Sequence, residues 1–143
     1  MSVDPALSRA ALGPVTGVAT FLLLTGGRLP RALPRPVGRA TVARWLTLAA
    51  AAGVEEVVWR GVVLSGLLIV VGSWAALGAS SAAFAVWHWP SFGRWCSVHL
   101  VTGAAFGGAF LVGGLVAAIL GHASYNLLVD CAVHAERARV RGP

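Results

Sequence analysis

The chain has 143 residues, of which 57% are hydrophobic and only 11% are charged, and its mean hydropathy is +0.79. A soluble domain carries about 25% charged residues, so the composition excludes a soluble globular enzyme, and intrinsic disorder requires the opposite balance. The net charge is +6, and all 11 basic residues are arginines. Because these arginines flank apolar segments, they indicate membrane orientation and contact with anionic lipid headgroups, not binding to nucleic acid.

The first apolar segment, residues 10–27, is an uncharged run just long enough to cross a membrane. It lacks a basic n-region and a small-residue cleavage site, so we expect it to be a retained span and not a signal peptide. Residues 28–44 follow with five arginines and three prolines. Charge and proline at this density predict a loop outside the hydrocarbon.

The rest of the chain contains apolar runs that are too long for one crossing of about 20 residues. Glycines at Gly72 and at Gly113–Gly114 offer plausible breaks. The predicted fold class is therefore all-α, a polytopic transmembrane helix bundle of about five spans with catalytic polar residues inside it. After the first span, the predicted spans lie near 45–71, 74–90, 97–112 and 114–133.

The arginine distribution predicts an orientation for this bundle. If the 28–44 loop is cytoplasmic, the 91–96 turn and the C-terminal tail lie on the same side. Nine of the 11 arginines then face the cytoplasm, Arg9 faces outward and Arg60 lies within a span. We therefore expect a multi-pass protein of the cell membrane with a cytoplasmic C-terminus. Its predicted parts are a span with an arginine- and proline-rich loop, a membrane core and a basic tail, at 1–44, 45–134 and 135–143.

Two adjacent glutamates lie inside the second predicted span. Glu56 and Arg60 are four residues apart, so they share a helix face and can form an ion pair that lowers the cost of burying both. Glu55 is rotated by roughly 100° and is less well placed to share that arginine. It is therefore the better candidate for a general base. The alternative is a purely structural cluster that ties helices together.

Two further polar pairs share the spacing of four residues. Phe84 and His88 lie near the end of the third span, where the histidine could instead be an interfacial residue among tryptophans. His122 and Asn126 lie in the last span and can donate hydrogen bonds to one point beside the helix. Their alternative role is interhelical hydrogen bonding.

Several other residues are given structural interpretations. His99 and His134 lie near predicted span ends and are expected to be interfacial. Cys96 and Cys131 do not have metal-type spacing and are expected to be small packing residues. Gly103 and Gly107 form a GxxxG pattern, which we interpret as ordinary bundle packing in preference to a dimer face.

The three polar segments occur in a fixed order on apolar sequence. They are EEVVWR at 55–60, FAVWH at 84–88 and HASYN at 122–126, and they match EExxxR, FxxxH and HxxxN. Together they resemble the CPBP family of intramembrane proteases, which comprises CAAX proteases and bacteriocin-processing enzymes and is also called the ABI family. The resemblance covers residues 45–130.

The resemblance implies a function and a role for each matching residue. Glu55 would activate water, His88 would help to hold that water, and His122 and Asn126 would stabilise the oxyanion. Phe84, Glu56 and Arg60 would support the site. The implied activity is hydrolysis of a peptide bond in a peptide or protein substrate in or near the membrane, without a cofactor. Such chemistry needs an activated nucleophile and donors aimed at the developing negative charge.

Two alternatives remain open at the sequence level. Zinc could be held by Glu55, His88 and His122, because two histidines and a carboxylate form a catalytic zinc set. The chain could also be a non-catalytic membrane protein of the same fold, such as an immunity or partner-binding subunit. A rhomboid-type serine protease is not supported, because the sequence contains no GxSxG.

Overall fold

The computed structural model describes residues 4–30 and 38–141, and every regular element in these ranges is helical. Residues 31–37 of the predicted loop lie outside the described residues. The second helix runs directly into a π-helical segment and then into the third. The elements are α1 (Pro5–Leu24), α2 (Arg39–Glu56), the π segment (Val57–Leu64), α3 (Ser65–Val71), α4 (Ser73–Phe92), a 3₁₀ turn (Gly93–Cys96) and α5 (Ser97–Arg141).

Both predicted glycine breaks are confirmed as reversals of the chain. Gly72 has φ 77° and Gly114 has φ 79°, values in the left-handed region that glycine adopts without a Cβ penalty. A straight helix of the length of α5 would extend about 68 Å at 1.5 Å per residue. Instead, the rings of Phe106 and His122 stack 4.9 Å apart. Helix α5 therefore folds back at Gly114 into two arms, 97–113 and 115–141.

Helix α1 runs parallel to the second arm of α5. A Cβ at Gly13 would meet the backbone of Ala117, and one at Gly17 would collide with the Gly121 carbonyl oxygen. Both contacts advance along the two helices in the same direction. The approach is so close that only glycine fits at these positions, as is common where helices pack in lipid.

Helix α2 runs antiparallel to the same arm. At one end of this contact, Arg44 Nε lies 3.0 Å from a carboxylate oxygen of Asp130, and the indole of Trp45 donates to that carboxylate at 3.0 Å. Further along, Glu56 reaches His122. The start of α2 and the end of α5 are thus joined at one end of the bundle.

Helix α4 runs antiparallel to the first arm of α5, with Gly103 against Ser81 and Gly107 against Leu77. The GxxxG glycines therefore pack within the chain, as the bundle interpretation expects. Successive membrane-length helices along the chain therefore alternate in direction, whereas α1 and the second arm of α5, which pack together, are parallel.

Two helical stretches among the described residues are long and apolar enough to cross a membrane. They are Ala6–Leu24 and Ser73–Arg137, the second of which contains α4 and both arms of α5. The all-helical class that the sequence predicts is confirmed for the described part of the chain.

Candidate active site

Three side chains from three helical segments converge in the bundle. Glu55 lies at the end of α2, and its Oε2 lies 3.9 Å from His88 Nε2 and 3.9 Å from His122 Nε2. The Glu55 side chain is 37% exposed, whereas those of His88 and His122 are 14% and 8% exposed. A partly accessible carboxylate thus faces two largely buried imidazoles.

The hydrogen bonds of the two histidines define their orientation. His88 Nδ1 lies 2.8 Å from the carbonyl oxygen of Phe84, and His122 Nδ1 lies 2.8 Å from Glu56 Oε1. A carbonyl or a carboxylate can only accept, so Nδ1 carries the proton in both rings. The other ring nitrogen of each histidine, Nε2, faces Glu55.

Glu56 forms the buried base of this cluster. Its side chain has no exposed surface, and its Oε1 accepts from Arg60 Nη1 at 3.0 Å as well as from His122. Arg60 is 1% exposed, and its second terminal nitrogen donates to the carbonyl oxygen of Gly103 at 3.0 Å. The predicted Glu56–Arg60 pair is thus present, and it extends to a histidine that the sequence does not link to it.

The π segment begins directly after the two glutamates and contains Arg60. Two serine hydroxyls donate to its carbonyl groups, Ser65 to Arg60 at 2.8 Å and Ser80 of α4 to Trp59 at 3.4 Å. π-Helical turns are rare and are frequent at functional sites. Here the segment follows the residues that face the histidines and is held by a neighbouring helix.

Phe84 lies at the centre of an aromatic group. Its ring lies 4.9 Å from the Arg60 guanidinium carbon, 4.5 Å from the centre of the His88 ring and 6.3 Å from that of His122. Phe84 thus lies close to both the buried cation and the imidazoles.

His99 also belongs to this group, although its position near a span end predicts an interfacial residue. Its ring stacks on His88 with centres 4.0 Å apart and planes 11° apart. His99 therefore contacts a site residue, in addition to lying near the start of its helix. The sequence does not indicate this stack, because His88 lies on another helix and no polar residue lies four positions from His99.

Other residues of the last helix stay outside the convergence. Asn126 is half-buried, and its amide has no hydrogen-bond partner among the described residues. Asp130 and His134 continue the same face, but Asp130 pairs with Arg44, and His134 Nδ1 donates to the Asp130 carbonyl oxygen at 2.8 Å. The structure therefore brings together Glu55, His88 and His122, with Asn126 one helical turn away from His122.

The same three residues are the ligands of the zinc alternative. Within the described ranges, no group of three His, Cys, Asp or Glu side chains has an arrangement suited to a metal ion. Both imidazoles nevertheless present a free Nε2 while Nδ1 is hydrogen-bonded, as metal-binding histidines do. The donor types therefore suit zinc, although the side chains are not drawn together around one point.

The chain forms an apolar helical bundle in which a carboxylate and two imidazoles come together. It therefore belongs to the class of membrane proteins with a polar site inside the bundle. The sequence pattern of a family described as type II CAAX prenyl endopeptidase Rce1-like matches residues 38–128. The chain belongs to this family, and it is thus a member of a family of CAAX-type membrane proteases. Comparisons with curated proteins and with solved structures gave no match.

Proposed function

We propose that the chain is an intramembrane endopeptidase that hydrolyses a peptide bond with a water molecule activated by Glu55. The observation that carries this proposal is the 3.9 Å separation of Glu55 Oε2 from both Nε2 atoms. This distance is too long for a direct hydrogen bond, and one water molecule can bridge it. Family membership supports the peptidase class.

The proposed reaction begins with the water held between Glu55 and His88. Glu55 takes one proton, and the oxygen attacks the carbonyl carbon of the scissile bond. When the tetrahedral intermediate collapses, the carbon–nitrogen bond breaks and the protonated Glu55 gives its proton to the departing amine. The products are a carboxylic acid and an amine, and Glu55 is again a carboxylate.

His122 and Asn126 are the proposed donors to the oxyanion. Asn126 has an amide group with two N–H donors, and it lies one turn beyond His122 on the same helix. Because His122 Nδ1 already donates to Glu56, His122 must carry two ring protons in order to donate from Nε2 as well. Stabilisation of the developing charge by positioned donors is usually the largest contribution to such catalysis.

We further propose five membrane crossings, with the C-terminus in the cytoplasm. The alternating helix directions, the parallel contact of α1 with the second arm of α5 and the arginine bias support this arrangement. The substrate would be a peptide or protein in or near the membrane, and membrane lipids would surround the bundle.

The test is cleavage profiling of membrane proteins with the wild type and with Glu55→Gln. This substitution keeps the shape of the side chain and removes the base, so cleavage should fall by about 100- to 10,000-fold. Glu136→Gln is the matched control, because Glu136 is 66% exposed in the tail region, and it should cleave as the wild type does. Equal cleavage by wild type and Glu55→Gln, or no cleavage by folded wild-type protein, contradicts the proposal.

The zinc alternative has its own measurement. We expect no stoichiometric zinc, because Glu55 can activate water directly. The amide of Asn126 supplies N–H hydrogen-bond donors, whereas a metal ion needs a ligand atom with a lone pair. Elemental analysis of the purified protein measures the zinc content per chain. About one zinc per chain that is lost in His88→Ala would replace this mechanism with metal-assisted hydrolysis.

A further inference from the structure

The ring of His99 is held in the site by contacts of its faces and edges. It stacks on His88 at 4.0 Å, and the rings of Phe92 and Phe84 lie 4.7 Å and 5.8 Å away. Its Nδ1 is buried and has no hydrogen-bond partner among the described residues. A buried polar atom without a partner is destabilising, so the contacts of the ring must account for the placement of His99.

His88 needs a second constraint to hold its orientation. Its hydrogen bond to the Phe84 carbonyl oxygen fixes one atom, Nδ1. A hydrogen bond tolerates a range of lengths and angles, so the ring can still rock about its Cβ–Cγ bond, and this motion would move Nε2 relative to Glu55. Torsions at the end of an aromatic side chain are broad, so a neighbouring surface is needed to select one plane.

We infer that His99 is a positioning residue for His88. The nearly parallel stack, with 11° between the planes, holds the His88 ring in the plane in which Nε2 faces Glu55. The inference rests on the proposed function for its effect on catalysis, whereas the effect on the orientation of His88 does not depend on it. His99 acts through the flat face of its ring, so another flat ring should replace it.

Three variants separate this role from the alternatives. His99→Ala removes the stacking surface and should lower kcat about 10-fold with little change in KM. This factor corresponds to the interaction free energy of a stacked pair of rings, which is at most about tenfold in an equilibrium. His99→Phe retains a flat ring and removes the unpartnered nitrogen, so it should retain wild-type kcat and be at least as stable to heating. His134→Ala is the matched control on the same helix, outside the cluster, and should behave as the wild type.

A measurement without substrate makes the inference independent of the protease activity. In ¹⁵N-histidine NMR spectra of the protein in lipid nanodiscs, the His88 resonances are assigned by their loss in His88→Gln. Wild type and His99→Phe should show one His88 signal with Nδ1 protonated, and His99→Ala should show a broadened or split signal. An unchanged His88 signal in His99→Ala overturns the inference, as does a His99→Phe enzyme as slow as His99→Ala. Absence of wild-type cleavage would contradict the proposed function and leave the NMR result to decide the role of His99.

Discussion

The two adjacent glutamates of the site, Glu55 and Glu56, have different environments. The Glu55 side chain is 37% exposed and faces two Nε2 atoms, whereas Glu56 has no exposed surface and binds Arg60 and His122. The difference follows from the rotation of roughly 100° between consecutive helical residues. One glutamate is accessible to water, and the other fixes the groups around it.

Glu56→Gln should therefore destabilise the protein before it affects chemistry directly. The change leaves the Arg60 guanidinium buried without its anionic partner, and breaking a buried pair costs about 3–5 kcal/mol. Thermal unfolding in detergent measures the loss. Glu136→Gln serves as control because it removes an exposed ion pair with Arg139, and exposed pairs contribute little to stability. Equal unfolding temperatures for the two variants would show that the buried pair is not structural.

Helical spacing predicted the pairs of residues that lie on one helix and missed those between helices. Glu56 and Arg60 are four residues apart, and their ion pair follows from helical periodicity. The hydrogen bond from His122 to Glu56 and the stack of His99 on His88 join different helices, so no spacing in the sequence encodes them. The family motifs predicted that Glu55, His88 and His122 belong together, and the structure brings them together.

At the scale of helices, the glycine breaks were predictable and the π segment was not. Gly72 and Gly114 adopt positive φ values. Because this conformation favours glycine, a glycine in the sequence marks each reversal. The π segment contains no residue type that π-helices require. Two of its carbonyl groups accept from serine hydroxyls, one of them from α4, and this second contact lies outside the reach of sequence periodicity.

The contact of α1 with α5 gives a prediction at this scale. Gly17→Ala places a Cβ against the Gly121 carbonyl oxygen, and overpacking of this kind typically costs about 1–3 kcal/mol. Gly78→Ala in α4 is the control, because no atom lies within 4 Å of the added Cβ and alanine is the better helix former. Thermal unfolding should show a lower midpoint for Gly17→Ala and an equal or higher one for Gly78→Ala. A Gly17→Ala protein as stable as wild type would mean that α1 does not depend on this close approach.

For the whole molecule, the helix directions and the arginine bias agree. The start of α2 and the end of α5 meet at Arg44 and Asp130, and the end of α1 lies at the same end because α1 is parallel to the second arm of α5. The span count and the arginine distribution predicted that the 28–44 loop and the C-terminal tail share one side, and the cytoplasmic identity of that side stays a prediction.

Cysteine labelling tests the orientation. In a Cys96→Ser, Cys131→Ser background, Leu29→Cys and Arg139→Cys should react with an impermeant thiol reagent from the cytoplasmic side. Ser73→Cys, beside the reversal at Gly72, should react from the opposite side. Labelling of positions 29 and 139 from different sides would contradict five crossings.

The reversal at Gly114 also bears on how the protein enters a membrane. The chain carries no Asp, Glu, Lys or Arg between Arg94 and Asp130, so the turn itself brings no such charge across the hydrocarbon. The two arms of α5 can insert together as a hairpin, with the rings of Phe106 and His122 already in contact. Such a hairpin carries His99 on one arm and His122 on the other, whereas a helix that continued straight through residue 114 would hold these two residues about 35 Å apart.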